Sequence, residues 1–161
     1  MYRIIDETKT SRSVSIGDDI FFAMCFVFKR ARHKQKMSER KEFIPFKQQH
    51  TLAERKQEFD SISARHEDRC PVICEPRDLN HDPIIDKAKF LIPKDLTVGQ
   101  FMYIVRKRIQ LNPEESLFLM TGHHGNVMLP NAMNIYDAYL QYRDKNDGFL
   151  YVIYTLENTF G

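Results

Sequence analysis

The sequence predicts an α+β domain in which one sheet wraps a single long helix, and three features carry that expectation. In residues 97–111, Val98, Met102, Val105 and Ile109 recur at three- and four-residue intervals, one face of a helix bound for a core. Residues 149–155, FLYVIYT, are aromatic and β-branched without Gly or Pro, the composition of a strand. Shorter strand-length runs lie on both sides of the helix, giving a strand pair, the helix, a hairpin-like pair, a short helix and a last strand.

In chain order, the first 42 residues differ from the rest. Residues 1–19 are polar with no sustained period and are expected to be disordered. Residues 20–28, IFFAMCFVF, are apolar, and residues 29–41 hold seven basic residues and one acid. A greasy patch beside a polybasic run fits an anionic membrane surface. The alternatives are a segment not normally translated, with Met37 as the start, which is the favoured reading, and a short helix packed on the domain. The basic cluster follows the apolar run and no small-residue cleavage site is evident, which disfavours a secretory signal. No apolar run approaches the ~20 residues that span a bilayer.

Thr51-Leu-Ala-Glu54 is a capping box and predicts a helix to about His66. Leu52, Phe59 and Ile62 form its apolar stripe, and Glu54, Arg55, Lys56 and Glu58 its solvated faces. Residues 71–76 read as a strand and 77–83 (RDLNHDP) as a connection. Residues 90–93 form the next strand, stopped by a proline that cannot donate to a ladder. Thr97-Val-Gly-Gln100 is a second capping box, heading the central helix. On that helix Phe101, Ile104 and Arg108 fall off the main stripe; they either widen it or make a second apolar face available for binding. Residues 117–120 and 127–129 read as a hairpin, with Gly122, Gly125 and Asn126 suited to positive φ in its turn. Residues 131–142 read as a short helix carrying Ile135, Tyr136, Tyr139 and Leu140. In the last strand Leu150, Val152 and Tyr154 point one way, and Phe149, Tyr151 and Ile153 the other.

At 161 residues and 42% apolar content, the chain fits one domain with an extension, and its net charge of +2 implies no polyanion partner. The basic run lacks interleaved aromatics, so nucleic-acid binding is not expected. Three cysteines, Cys25, Cys70 and Cys74, form no C-x-x-C, which points to a reducing compartment and buried thiols. His123 and His124 are adjacent and point apart on extended backbone, so no metal site is expected. No G-x-S-x-G, H-E-x-x-H or phosphate-cradling glycine loop is found, and neither catalysis nor a cofactor is expected.

Five motifs in order carry a family resemblance. Pro71-Val-Ile-Cys-Glu75, Lys89-Phe-Leu-Ile-Pro93, the pair Leu96-Thr-Val-Gly-Gln-Phe101 and Val105-Arg-Lys-Arg-Ile109, Asp147-Gly-Phe-Leu-Tyr-Val152, and the closing Glu157-Asn-Thr-Phe-Gly161 resemble the autophagy-related ubiquitin-like modifiers, the group that includes GABARAP. The resemblance covers residues 43–161, and nothing carries over onto residues 1–42. It implies a β-grasp, ubiquitin-like domain with additional N-terminal helices.

Two functional features follow from the resemblance. Gly161 would be the conjugation site: without a Cβ, its carboxylate can enter a narrow active site on extended backbone. The implied chemistry is ATP-dependent activation and transfer, through activating and conjugating enzymes, to the amine of phosphatidylethanolamine. A cysteine protease would process and deconjugate the product, and the protein would be cytoplasmic, moving to the autophagosome membrane when lipidated. The second feature is the strand edge at residues 87–93, a template for an extended peptide. Glu58, Ile62, Pro71, Ile73, Lys89, Leu91 and Phe149 match the pocket for an aromatic residue. Phe90, Ile92, Pro93, Leu96, Phe101 and Ile104 match the pocket for an aliphatic residue three positions on. Lys87, Lys89 and Arg108 would meet the acidic residues that such autophagy-receptor motifs carry. Phe90 stands where many members have tyrosine, Ala88 replaces a basic group of some members, and the turn at 121–126 is longer than usual. The alternative reading is a ubiquitin-fold binding module in membrane trafficking that is never lipidated.

Overall fold

The computed structural model describes residues 3–4, 43–122 and 125–156. Residues 1–6 and 44–161 make one compact unit, and residues 7–43 a second. The first unit contains β1 (Arg3–Ile4), α1 (Phe46–Gln49), α2 (Leu52–Arg65), β2 (Arg69–Pro76) and β3 (Lys89–Pro93). They are followed by α3 (Val98–Ile109), β4 (Leu117–Thr121), β5 (Val127–Met128), α4 (Ile135–Tyr142) and β6 (Leu150–Leu156). The strands form one sheet in the order β1-β3-β2-β6-β4-β5. β2 and β6 run parallel at its centre, with β3 and β4 antiparallel to them on either side. With α3 packed on one face, this is the β-grasp arrangement, and α1 and α2 are the added N-terminal helices.

Both capping boxes form. The Thr51 side chain accepts from Glu54 N while the Thr51 backbone N–H donates to Glu54 Oε2 at 2.7 Å. The Thr97 backbone N–H donates to Gln100 Oε1 at 2.8 Å, and Gln100 N returns the bond to Thr97 Oγ1 at 3.2 Å. Two further N–H groups at the start of α3 lack partners within the helix. Val98 N donates to Met133 O and Gly99 N to Asn131 O, both at 2.9 Å. A Cβ on residue 99 would lie 3.2 Å from that Asn131 oxygen, so glycine suits this close approach. Because residues 131–134 are engaged in this way, α4 begins at Ile135 rather than 131, capped by the Asn134 side chain.

Strand alternation divides the apolar residues between two faces. Cys70, Val72 and Cys74 of β2, Phe90 and Ile92 of β3, and Leu150, Val152 and Tyr154 of β6 join Val98, Phe101, Val105 and Ile109 in the main core. Ile73, Leu91 and Phe149 turn to the other face and pack with Phe46 of α1 and Ile62 of α2.

The structure differs from the sequence reading at several points. Leu52 is exposed and outside the α2 stripe, and Leu140 is exposed on α4. Arg55 is not solvated but ion-paired (below). Arg3–Ile4 is a strand within a stretch expected to be disordered. Positive φ is found in the β4–β5 turn at Gly122 (83°) and Gly125 (66°) but not at Asn126, where it was also expected. The apolar run 20–28, the basic run 29–41, Cys25, His123, His124 and Gly161 lie outside the described residues. No helix among the described residues is long and apolar enough to cross a membrane.

The long connection between β2 and β3 is fastened to the last strand. The Tyr154 hydroxyl donates to Pro83 O at 2.6 Å and accepts from Ile85 N at 3.0 Å. The buried Asp82 carboxylate accepts from Leu156 N at 3.0 Å and from Asp78 N at 2.9 Å.

Candidate functional site

β3 is paired to β2 along one edge, with Leu91 opposite Pro71, Phe90 opposite Val72 and Lys89 opposite Ile73. Opposed residues share a face, so the proposed aromatic-pocket set gathers on the α1–α2 side. There Leu91, Ile62, Ile73 and Phe149 form one cluster with Phe46, and Pro71 is buried beside Leu91. Lys89 Nζ lies 2.6 Å from Glu58 Oε1 and 4.9 Å from the centroid of the Phe46 ring. An ammonium over a ring face is attracted by the negative quadrupole, so Phe46 is a second partner for this lysine.

The aliphatic-pocket set gathers on the α3 side. Phe90, Ile92, Leu96 and Phe101 are buried in the main core, and Ile104 packs against it half-exposed. Phe90 and Phe101 meet edge to face with centroids 5.3 Å apart. Phe101 therefore widens the core stripe, and the second apolar face of α3 contracts to Ile104. Pro93 is half-buried at the strand end, while Lys87 and Arg108 are exposed. The outer edge of β3, expected to be open, carries β1 in parallel, with Arg3 opposite Phe90 and Ile4 opposite Leu91.

The sequence profile of the family described as "Autophagy protein Atg8 ubiquitin like" matches residues 54–161. The chain belongs to the Atg8 family. It is similar to "Autophagy-related protein 8" of Mycosarcoma maydis, 46% identical over 116 residues, which are 72% of this chain and 95% of that protein. The protein of the same name from Pichia angusta is 47% identical over 116 residues, 72% of this chain and 90% of that one. Among solved structures, Trypanosoma brucei ATG8 superposes with a TM-score of 0.64 at 40% identity, covering 72% of this chain and 97% of that one. The protein is thus an autophagy-related, ubiquitin-like member of the Atg8 family.

Several residues that shape this candidate site were not singled out by the sequence. Asp147 is fully buried, and its carboxylate accepts from Arg55 Nε at 2.7 Å, Tyr151 OH at 2.8 Å and Phe149 N at 3.3 Å. Arg55 also donates to His50 O at 2.7 Å, so one guanidinium ties the α1–α2 junction to the sheet. Lys47 pairs with Asp144 at 2.6 Å and lies 4.2 Å from the centroid of the Tyr151 ring. Burial, and then the bond given to Asp147, push the Tyr151 hydroxyl well above the usual phenol range. Burial also pushes the Glu75 carboxyl up, although it accepts from Phe46 N at 2.7 Å. Phe46 carried only a weak signal, the last residue of the short apolar run Phe43-Ile-Pro-Phe46 with no period to read.

The two described cysteines, Cys70 and Cys74, are both buried. Burial pushes the Cys70 thiol up to about 12 and the Cys74 thiol higher still, so neither supplies a thiolate at neutral pH. Among the described residues no group of three or more His, Cys, Asp or Glu side chains could hold a metal ion.

Proposed function

We propose that the chain is a ubiquitin-like modifier, conjugated through Gly161 to phosphatidylethanolamine, that recruits receptors through aromatic-x-x-aliphatic motifs docked on β3. The observation that carries the docking reading is the division of the β3 residues into two apolar sets on opposite faces. On an extended peptide, residues three apart point to opposite sides. An aromatic residue would then reach the Phe46–Ile62–Leu91 side and an aliphatic one the Ile92–Phe101–Ile104 side. Main-chain bonds along the edge supply affinity, and the two sets supply selectivity. Lys87, Lys89 and Arg108 would add charge-assisted contacts to flanking acids.

Family membership and the Asn-Thr-Phe-Gly161 ending support the conjugation reading. ATP activates the Gly161 carboxylate, which passes as a thioester through the activating and conjugating enzymes. The phosphatidylethanolamine amine then displaces the last thiol to leave an amide. The catalytic groups belong to those enzymes and to the deconjugating cysteine protease, and the chain itself is not an enzyme. It is cytoplasmic before conjugation and held on the autophagosome membrane after it. Each buried methylene of the lipid contributes ~0.8 kcal/mol, and two chains anchor stably where one does not.

Reconstitution with activating and conjugating enzymes, ATP and phosphatidylethanolamine liposomes tests this reading. Mass spectrometry should find a lipid adduct on Gly161 that is absent in Gly161→Ala. No adduct, with enzymes competent on another Atg8 protein, overturns conjugation and leaves docking as the whole function.

A further inference from the structure

β3 has two hydrogen-bonding edges, and in this chain both are used. β2 takes one and β1 takes the other, running parallel to β3 with Arg3 opposite Phe90 and Ile4 opposite Leu91. The sequence around those two residues reads Tyr2-Arg3-Ile4-Ile5-Asp6-Glu7. An aromatic residue stands three positions before an aliphatic one, and two acids follow.

We propose that residues 2–5 are a docking motif carried in cis, the groove's own ligand. The proposal rests on the docking reading above and names the occupant of that site. A docked motif that keeps this register would set its aromatic residue beside Lys89 and its aliphatic residue beside Ile92. Paired residues of parallel strands share a face, so the aromatic residue would go to the side of Leu91, Ile62 and Phe46. The aliphatic residue would go to the side of Ile92 and Phe101. A slip of one residue would exchange the two faces and set the aromatic side chain against the aliphatic wall. The register of Arg3 on Phe90 is the one that would match the motif to the groove.

A strand of two residues makes too few main-chain bonds to persist as a separate peptide. The tether changes that balance, because residues 1–6 belong to the same compact unit as residues 44–161. Linked through residues 7–43, the motif faces the groove at an effective concentration on the order of millimolar. A receptor motif must then compete with it, and its apparent affinity falls by the fraction of chains whose groove is open. The full chain would thus bind receptors more weakly than its domain allows, and release of residues 2–5 would restore binding.

The test compares the full chain with the double variant Tyr2→Ala/Ile5→Ala, which leaves every residue of the domain core in place. Amide exchange by NMR reads the β3 edge, and a fluorescent peptide with two acids ahead of Phe-x-x-Leu reads the groove. In the variant, β3 amides facing β1 should exchange at least ~10-fold faster, and the peptide should bind about 5- to 20-fold tighter. Tyr2→Phe, which keeps the aromatic ring, should match the unmodified chain. Unchanged exchange and unchanged affinity overturn self-docking, and peptide binding to both proteins would leave the docking reading intact. Faster exchange with no peptide binding to either protein supports self-docking and overturns recruitment of foreign motifs. Protection that grows with protein concentration, together with a dimer mass in sedimentation, overturns the cis assignment in favour of a strand exchanged between two copies.

Discussion

The two faces of the sheet are closed by different means. Against α3 and α4, twenty buried residues among those described form one continuous cluster. Against α1 and α2 the cluster has five, and its rim is charged: Arg55–Asp147, Lys47–Asp144 and Lys89–Glu58. Apolar burial contributes in proportion to area, so the larger face commits the chain to its fold. The smaller face depends more on directional bonds from α1 and α2, and such a region opens at lower free energy than the global one. β3 belongs to both, through Phe90 and Ile92 on one side and Leu91 on the other. The candidate groove therefore has a rigid wall and an adjustable one.

The largest expected effect tests the rigid wall. Phe101→Ala removes a fully buried ring packed edge to face on Phe90 and should cost ~3–5 kcal/mol in urea unfolding. A loss near 1 kcal/mol would mean the wall collapses readily, and the contrast between the faces would fail. On the other face, Arg55→Met leaves the Asp147 carboxylate buried without its cation, at a cost of about 3 kcal/mol. A loss below ~1 kcal/mol would mean that Tyr151 OH and Phe149 N suffice for Asp147. Gly148→Ala is expected to cost roughly 1–3 kcal/mol, since φ is +82° and the added Cβ would meet the Phe59 ring at 2.5 Å. The displaced ring should show in the NMR shifts of Phe149, its edge-to-face neighbour. The smallest effect on stability belongs to Lys89→Met, under ~1 kcal/mol, because its pair with Glu58 is partly solvated. Its effect on an acidic peptide should instead be several-fold weaker binding with a flatter salt dependence. An unchanged affinity would remove Lys89 from the groove.

What the sequence disclosed was mostly local. Thr51 and Thr97 announced both helices because a capping box lies within four residues. The alternation of residues 149–155 announced β6 and its two faces in the same way. Phe101 stayed ambiguous, because periodicity alone cannot separate a wide stripe from a second face; Phe90, on another element, decides it. Arg55 read as solvated because its partner lies 92 positions further on. β1 had no pattern to find, since two residues hold no period and its place comes from the edge that receives it.

The fastening of the β2–β3 connection to Tyr154 and Asp82 bears on how fast a ligand can arrive. The stretch leading into β3 is pinned at Pro83 and Ile85 before any guest is present. A peptide meeting an open edge then needs no loop to be ordered first. Its association should run at the ~10⁵–10⁷ M⁻¹s⁻¹ of pre-organised surfaces, and differences among guests should appear in their residence times.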